Sequence, residues 1–566
     1  PVSLCVLCFL LSLIPAVLIS PALHLSLIYY SKLLAAVGYF SASLYLARSP
    51  ERFRKLFLGA LMFSLLLLGI LGVGQMVDPP EMPSHWLSKE QSQILGFRVS
   101  SSFVNPNPWG AFCAVFSLVF FSLGAMSPRP AIRRIHIALA SLLLINLFAS
   151  FSRGAFLAFF LSLLICAALF WNRRKSLPGL FETVLALILT VLAGGMLMLP
   201  AMEARLSSLG DEEDLGVNQR KMLYLGVLDH IKANFPWGSG LRTFSTVFPR
   251  YRRLGGQYPL EAHSDPLQLL AEAGVLGFLG FVVLGIIALR LQYRAGVRAF
   301  AGFAGLLSFA IVCNFVTFLH YSFLTVPLFI LLGFSSSVTA RENRIESSRA
   351  RLVVILLALA ASAYWLGTYL SQERLKESKL LFSQSKRAKI QGRVKESKAL
   401  RALGYNALAR AMSWAPLRDD LYFVLGRERM LHRHYGLAEE AFNRALERNR
   451  REETYLVAMA MLKEKEGDLS RALKLIEKAL KMDPHSEKLL LRQALILEKL
   501  GRREDAIQDL KKALKTNPQF LSINTRAYAP VLKELSRMLR EEGRDEALEN
   551  LLSKYGDLLS RDATKR

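Results

Sequence analysis

His263 sits at the threshold of an apolar run, in EAHSDPLQLLAEAGVLGFLGF at 261–281. Asp265 and Pro266 read as the cap and first residue of a helix, so the histidine stands just before a helix N-terminus. The partial positive charge of that end disfavours imidazolium, while free amides nearby can receive an anion. A neutral histidine beside an anion site can act as a base, with Glu261 placed to orient it. Two cations fall in comparable places: Arg153 in FSRGAF and Arg220 in NQRKMLYLGVLDHI. Plainer readings stand beside these: His263 bonding loop backbone, Arg153 reaching to lipid headgroups, Arg220 solvated on an amphipathic helix. Gly154 permits a sharp reversal at Arg153. The G-x-G at Gly238 and Gly240 reads as a turn or as a fragment of a phosphate loop.

The elements that must hold these residues are membrane helices. Composition changes near residue 371 of 566, dividing the chain into a membrane domain, 1–371, and a soluble helical domain, 372–566. The fold class is all-α, a polytopic helical bundle followed by a repeat solenoid. About eleven apolar stretches are long enough to span ~30 Å of hydrocarbon, at 2–20, 23–46, 56–74, 107–126, 135–151, 155–171, 179–200, 267–289, 299–317, 322–340 and 352–370. The first reads as a retained helix, since no A-x-A-like cleavage site follows it. Alternate connections are strongly basic: 47–55, 127–134, 172–175, 290–298 and 341–351. The positive-inside rule places all five in the cytoplasm, so 75–106, 152–154, 201–266, 319–321 and everything after 371 face outward. An outward active site has no supply of ATP or nucleotide sugars, and its substrate must arrive already activated.

The net charge of +26 is then mainly a topology signal in the first half, with no call for nucleic acid. In the second half the basic helical faces are either solvated or suited to anionic partners. The five cysteines lie in apolar segments and read as small buried hydrophobes. No His/Cys/Asp grouping suggests a metal, no carboxylate pair suggests glycoside hydrolysis, and no nucleophile elbow or Walker A sequence is present. The acidic run 211–214 reads as a solvated loop.

From residue 419 a pattern recurs at roughly 34 residues, the tetratricopeptide spacing of paired antiparallel helices. Ala438, Phe442 and Ala445 align with Ala472, Ile476 and Ala479, then with Ala506, Leu510 and Ala513. A degenerate unit at 385–418 precedes them, and 521–560 reads as a capping pair. Such arrays offer a surface for a protein partner, or merely space and stabilise the membrane half.

SRGAFLAFF, NQRKMLYLGVLDHIKANFPWGSGLRTF and EAHSDPLQLLAEAGVLG, in that order, resemble the O-antigen ligase and polymerase superfamily of bacterial envelope glycosyltransferases over about 105–340. NPNPWG at 105–110 is similar to the family's earlier outer-loop element, and the long outer loop is 201–266. The resemblance implies an undecaprenyl-diphosphate-linked oligosaccharide donor, transfer outside the bacterial cytoplasmic membrane, and no cofactor or required metal. It implies that Arg153 and Arg220 bind the donor diphosphate and that His263 is the general base of an inverting displacement. Arg242, Arg250, Arg252 and Arg253 are further candidates for that anion, and Glu261 for the substrate site. The acceptor can be a lipid, a glycan or a protein hydroxyl, the last making a protein O-oligosaccharyltransferase. Two other classes compete: a non-enzymatic membrane anchor for a repeat docking module, and a lipid-linked glycan transporter. The transporter ranks last because the spans are nearly free of charge.

Overall fold

The computed structural model describes residues 2–78, 98–103, 105–207, 215–254, 256, 258–339, 348–516 and 537. Among them every regular element is a helix. Without water in a bilayer each backbone group must bond within its own segment, so long apolar runs become helices. They are α1 (Val2–Ser12), α2 (Ile14–Leu18), α3 (Leu23–Leu46), α4 (Glu51–Val77), α5 (Pro106–Met126), α6 (Pro130–Ser150), α7 (Arg153–Phe170) and α8 (Leu180–Ser207). After α9 (Leu215–Ala233) and a one-turn α10 (Phe244–Val247) come α11 (Asp265–Ala295), α12 (Phe300–Val312) and α13 (Ser322–Thr339).

The expected spans fall on helices with two exceptions: 2–20 is divided at Leu13, where Pro15 enters the first turn of α2 and cannot donate to the preceding one, and 299–317 is helical only to Val312, so the connection expected at 319–321 begins at 313. Among the described residues five helical stretches are long and apolar enough to cross a membrane: Glu51–Val77, Pro106–Met126, Pro130–Ser150, Arg153–Ser176 and Asp265–Val312. Val2–Leu18, Leu180–Met196 and Leu324–Val338 are apolar but shorter. The count of eleven therefore rests on sequence pattern and not on these lengths.

Helix α5 is the axis of the bundle, with Trp109, Phe112, Val115 and most of its other side chains buried. By contrast α4 and α8 display Phe63, Ile70, Leu71, Ile188, Leu189 and Leu192 outward, the surface of helices whose solvent is lipid. Cys113, Cys166 and Cys313 are buried as expected, but Cys8 is exposed on α1, which packs only one of its faces.

The two sets of connections separate to opposite ends. At one end Arg133 pairs with Glu182 at 2.8 Å, and Arg173 Nη1 donates to the Tyr293 carbonyl at 3.2 Å, bringing three basic connections together. At the other end Val99 N–H bonds the Ala149 carbonyl at 2.9 Å, and Asp265 N–H bonds the Cys313 carbonyl at 2.7 Å. The candidate residues lie at this second end.

Helix α14 (Ser348–Ile390) runs unbroken through residue 371, so bundle and array are joined by helix. The array continues as α15 (Val394–Trp414), α16 (Asp419–Leu431), α17 (Tyr435–Arg448), α18 (Glu453–Glu466), α19 (Leu469–Leu480), α20 (Glu487–Lys499) and α21 (Arg503–Thr516). Small residues bring the helices close: the ring of Phe442 covers Gly426, and Ala472, Ile476 and Ala494 form a dry core with Leu490 and Leu497. The expected capping pair, the acidic run 211–214 and most of the basic connection 341–351 lie outside the described residues.

Candidate active site

The first outer element is built on NPNPWG. Asn105 caps α5, its Oδ1 accepting from Asn107 N–H at 2.9 Å, and Trp109 is wholly buried with its indole N–H on Asn146 Oδ1 at 3.3 Å. Gly110 packs directly against Ser150 and Ser152, so this element supports the turn that carries Arg153. Arg98, buried, donates to the Ser150 carbonyl at 3.0 Å and to Asn107 Oδ1 at 2.7 Å, tying the two motifs together. Arg153 itself is exposed at the start of α7.

The reversal before Arg153 is not made by Gly154. Phe151 takes the left-handed conformation, at φ 50°, and Gly154 is already helical. Gly154 instead gives room: a Cβ there would lie 2.5 Å from Phe315 Cβ. Phe315 belongs to the connection 313–321, which also holds Asp265. Gly154→Ala is therefore expected to displace that connection and cost about 1–3 kcal/mol, as other overpacking substitutions do. A fall in the thermal unfolding midpoint in detergent checks this; an unchanged midpoint would mean the connection yields freely.

The second element is the loop before α11. Ser264, not Asp265, is the N-cap, its hydroxyl accepting from Leu267 N–H at 3.4 Å. Both residue types cap well, and sequence could not rank them. The Asp265 carboxylate is thereby released to accept from the N–H groups of Phe318 at 2.8 Å and Leu319 at 3.0 Å. His263 has a left-handed backbone, φ 53°, and is partly buried. Burial, and then the positive charge of Arg220, push its pKa down to about 4, so it is neutral at physiological pH. The structure thus brings His263 within electrostatic reach of Arg220 on α9.

Helix α9 packs through Val227 and Ile231 onto Phe244, Phe248 and Ala262, which fixes this approach. His230 on the same helix is wholly buried and stacked on Phe244 with centroids 5.7 Å apart. Burial, then Arg451, hold it neutral, with a pKa of about 3. It is a packing group.

The segment 238–240 is committed to packing. Helix α11 is broken at Gly274, φ 64° and ψ −163°, where Ser239 and Gly240 donate to the carbonyls of Ala271 and Glu272, each at 2.9 Å. A Cβ on Gly274 would collide with the Pro236 carbonyl oxygen. The turn reading of G-x-G is the observed one.

Beneath His263 lies a buried polar network. Glu261 pairs with Arg242 at 3.3 Å and accepts from Thr317 Oγ1 at 2.6 Å. Its carboxylate also accepts from Tyr321. Glu272 accepts from the N–H groups of Arg242 at 2.8 Å and Phe244 at 2.9 Å, and from Gln268 Nε2 at 2.8 Å. His320 Nε2 is 3.8 Å from Glu272, and its ring lies 4.7 Å from that of Tyr29. Lys32 on α3 donates to the His320 carbonyl and lies within electrostatic reach of Glu261 and Asp265. Arg98, Lys32, Thr317 and His320 were all missed by sequence reasoning. A lysine inside an apolar run was the one available signal.

The remaining arginines part company. Arg242 keeps 41 % of its side chain exposed beside Glu261. Arg250 is exposed, and Arg253 pairs with Asp229. Arg252 is instead buried against the repeat array. It pairs with Asp483 at 3.4 Å, donates to Tyr258 Oη at 2.8 Å and to the His485 carbonyl, and lies 3.9 Å over the Tyr258 ring. Tyr258 Oη donates to Asp483 Oδ2 at 2.7 Å. Arg450 N–H bonds the Pro21 carbonyl at 3.3 Å, a second point where array and bundle meet. Among the described residues no group of three His, Cys, Asp or Glu side chains is placed to hold a metal ion.

Fold and site define a multi-pass helical membrane protein with a histidine–arginine cluster at one bundle end and a helical repeat array docked on that same end. Residues 138–282 match the family model described as O-antigen ligase, and residues 390–558 match a tetratricopeptide repeat model. The chain thus resembles O-antigen ligases over 138–282 of its membrane half and carries a C-terminal tetratricopeptide region. The first match spans Arg153, Arg220 and His263 and ends before the connection 313–321. No curated protein matches the chain. Among solved structures, two crystal structures of MamA are similar. One is 10% identical, with 34% of this chain and 96% of that chain covered and a TM-score of 0.24. The other is 17% identical, with 32% and 99% covered and a TM-score of 0.22.

Proposed function

We propose that the chain is a glycosyltransferase that takes oligosaccharide from undecaprenyl diphosphate on the outer face of the bacterial cytoplasmic membrane. The observation that carries this reading is the grouping of neutral His263 with Arg220 at the bundle end opposite the basic connections. By the charge rule that end is the outer one. Arg220 and Arg153 bind the diphosphate, and Arg242 extends the cationic surface. The acceptor oxygen attacks the anomeric carbon as His263 removes the hydroxyl proton. The bond from that carbon to phosphate oxygen breaks, and its electron pair leaves on the diphosphate, where the arginine charges stabilise it. One displacement inverts the anomeric centre.

Asp265, Glu261 and Glu272 act as positioning residues, holding the connection 313–321 and Arg242 around the histidine. A protein acceptor is the second reading, favoured by the Arg252–Asp483 contact that docks the repeats on the same end. Incubating proteoliposomes with lipid-linked oligosaccharide and, separately, added lipid and protein acceptors tests both. Longer glycans identify a polymerase and labelled acceptor a ligase; no transfer to any acceptor with verified donor supply would remove the proposal.

The pH profile carries a signed expectation. His263 must be neutral to accept a proton, and its pKa lies at about 4 with the site free. The acid limb of kcat/KM is therefore expected near pH 4 and not near 6.5. A bound diphosphate raises the pKa, so the limb of kcat lies higher. Arg220→Gln removes the second cause of the depression and moves the kcat/KM limb upward. A limb that stays fixed in this variant contradicts the assignment. Linkage has the same sign: the unfolded histidine gains its proton below about 6.5 while the folded one does not, so stability falls from there to about pH 4.

A further inference from the structure

The second half of the chain holds a cleft of about 690 Å³ between α15, α16 and the turn that follows α16. Its rim carries Arg401, Arg429, His432 and His434, and its floor includes Leu408 and Met412. Arg401 Nη1 donates to His432 Nδ1 at 2.9 Å, and Arg429 Nη1 donates to the Leu437 carbonyl at 3.1 Å. Among the described residues neither arginine has a carboxylate within ion-pair distance, whereas Arg418, Arg444, Arg492 and Arg502 elsewhere on the array do. Arg401 is thus aimed by a neutral ring that adds no charge of its own. The nearby charges are mostly of the same sign: Lys389 and Arg401 act on His432, and Arg427, Arg401 and Lys386 together surround the single carboxylate of Glu428. Two guanidinium forks above an apolar floor suit carboxylates spaced along a chain that also carries an apolar side chain.

Position separates the two sources of such an anion. The Trp414 carbonyl, at the end of α15, lies against Gly367 near the close of the apolar part of α14. Ser385 and Ser397 bond across the same helix pair at its far end. Arg401 is therefore about 20 Å up the hairpin from the membrane end, at 1.5 Å per residue. With 352–370 read as a span and the hairpin rising from it, that length exceeds the reach of headgroups of the same membrane.

We propose that this cleft binds an acidic peptide segment of a partner protein. Because binding is read without glycan transfer, the proposal stands or falls apart from the proposed catalytic function. The test titrates full-length protein in zwitterionic nanodiscs with a short fluorescein-labelled peptide of alternating glutamate and leucine, followed by anisotropy. Saturable binding is expected, weakened about tenfold or more by Arg401→Glu with Arg429→Glu, a tenfold change being about 1.4 kcal/mol. Lys474→Glu with Lys478→Glu, the same charge change on exposed positions of α19, is expected to leave affinity within about twofold, as for charges screened beyond a Debye length. Should the first pair unfold the array, Arg401→Gln and Arg429→Gln singly replace it and are expected to weaken binding in the same direction. Absence of saturable binding, or equal losses in both pairs of variants, would overturn the proposal. So would full competition by phosphatidylglycerol vesicles, which would reassign the site to lipid headgroups.

Discussion

His263→Ala is expected to lower glycan transfer by about 10²–10⁴-fold, the range for loss of a positioned general base, while donor still binds. Arg220→Ala is expected to lower turnover by about 10²–10³-fold and to weaken donor binding as well, because it removes charge from the leaving group in both ground and transition states. The two variants are thus separated by donor affinity, not by rate alone. Single-turnover rates and binding of fluorescent lipid-linked donor, measured on the same preparations, check this. Equal donor affinities in both variants, with rates near that of the intact protein, would reduce His263 to a loop contact and Arg220 to a solvated cation. Both were open readings of the sequence.

The second large effect concerns docking of the array. Arg252 and Asp483 keep only 2% and 0% of their side chains exposed, so Arg252→Ala leaves a buried carboxylate without its cation. Breaking such a pair from one side costs about 3–5 kcal/mol, whereas replacing both charges together by apolar groups costs far less. Arg252→Ala is expected to loosen the array from the outer loop by that amount, seen as faster hydrogen exchange over 482–488 and 249–258. The expected order is Arg252→Ala worse than Arg252→Met with Asp483→Leu. If the double variant proves the worse of the two, the contact is a favourable ion pair in its own right and not a compensated burial.

The helices were legible because a bilayer leaves an apolar run little choice of structure, and the repeats because Ala472, Ile476 and their counterparts recur at a fixed spacing. Gly467 and Gly501, also in register, end their helices with left-handed φ of 86° and 77°. The equivalent turn one repeat earlier uses Arg433 at φ 62°, a residue type that gives no such signal. Arg220 and His263 were visible as ionisable groups in outer segments, but their mutual approach depends on Val227 and Ile231 packing against Phe244 and Ala262. Lys32 and His320 escaped notice for a related reason: residues nearly three hundred positions apart share no pattern, and only the folded bundle joins Lys32 to the His320 carbonyl and sets the His320 ring beside Glu272. Arg252 was read as a cation for substrate, since a sequence window of its loop cannot show Asp483 waiting on the array.

The most direct measurement is the release of undecaprenyl diphosphate in proteoliposomes supplied with lipid-linked oligosaccharide and acceptor, in the presence of a chelator and without nucleotide. The account requires one diphosphate released for each glycosidic bond formed, an inverted anomeric configuration in the product, and loss of both signals in His263→Ala. Transfer that depends on a nucleotide sugar, retains configuration, or persists undiminished in the His263 variant would contradict it.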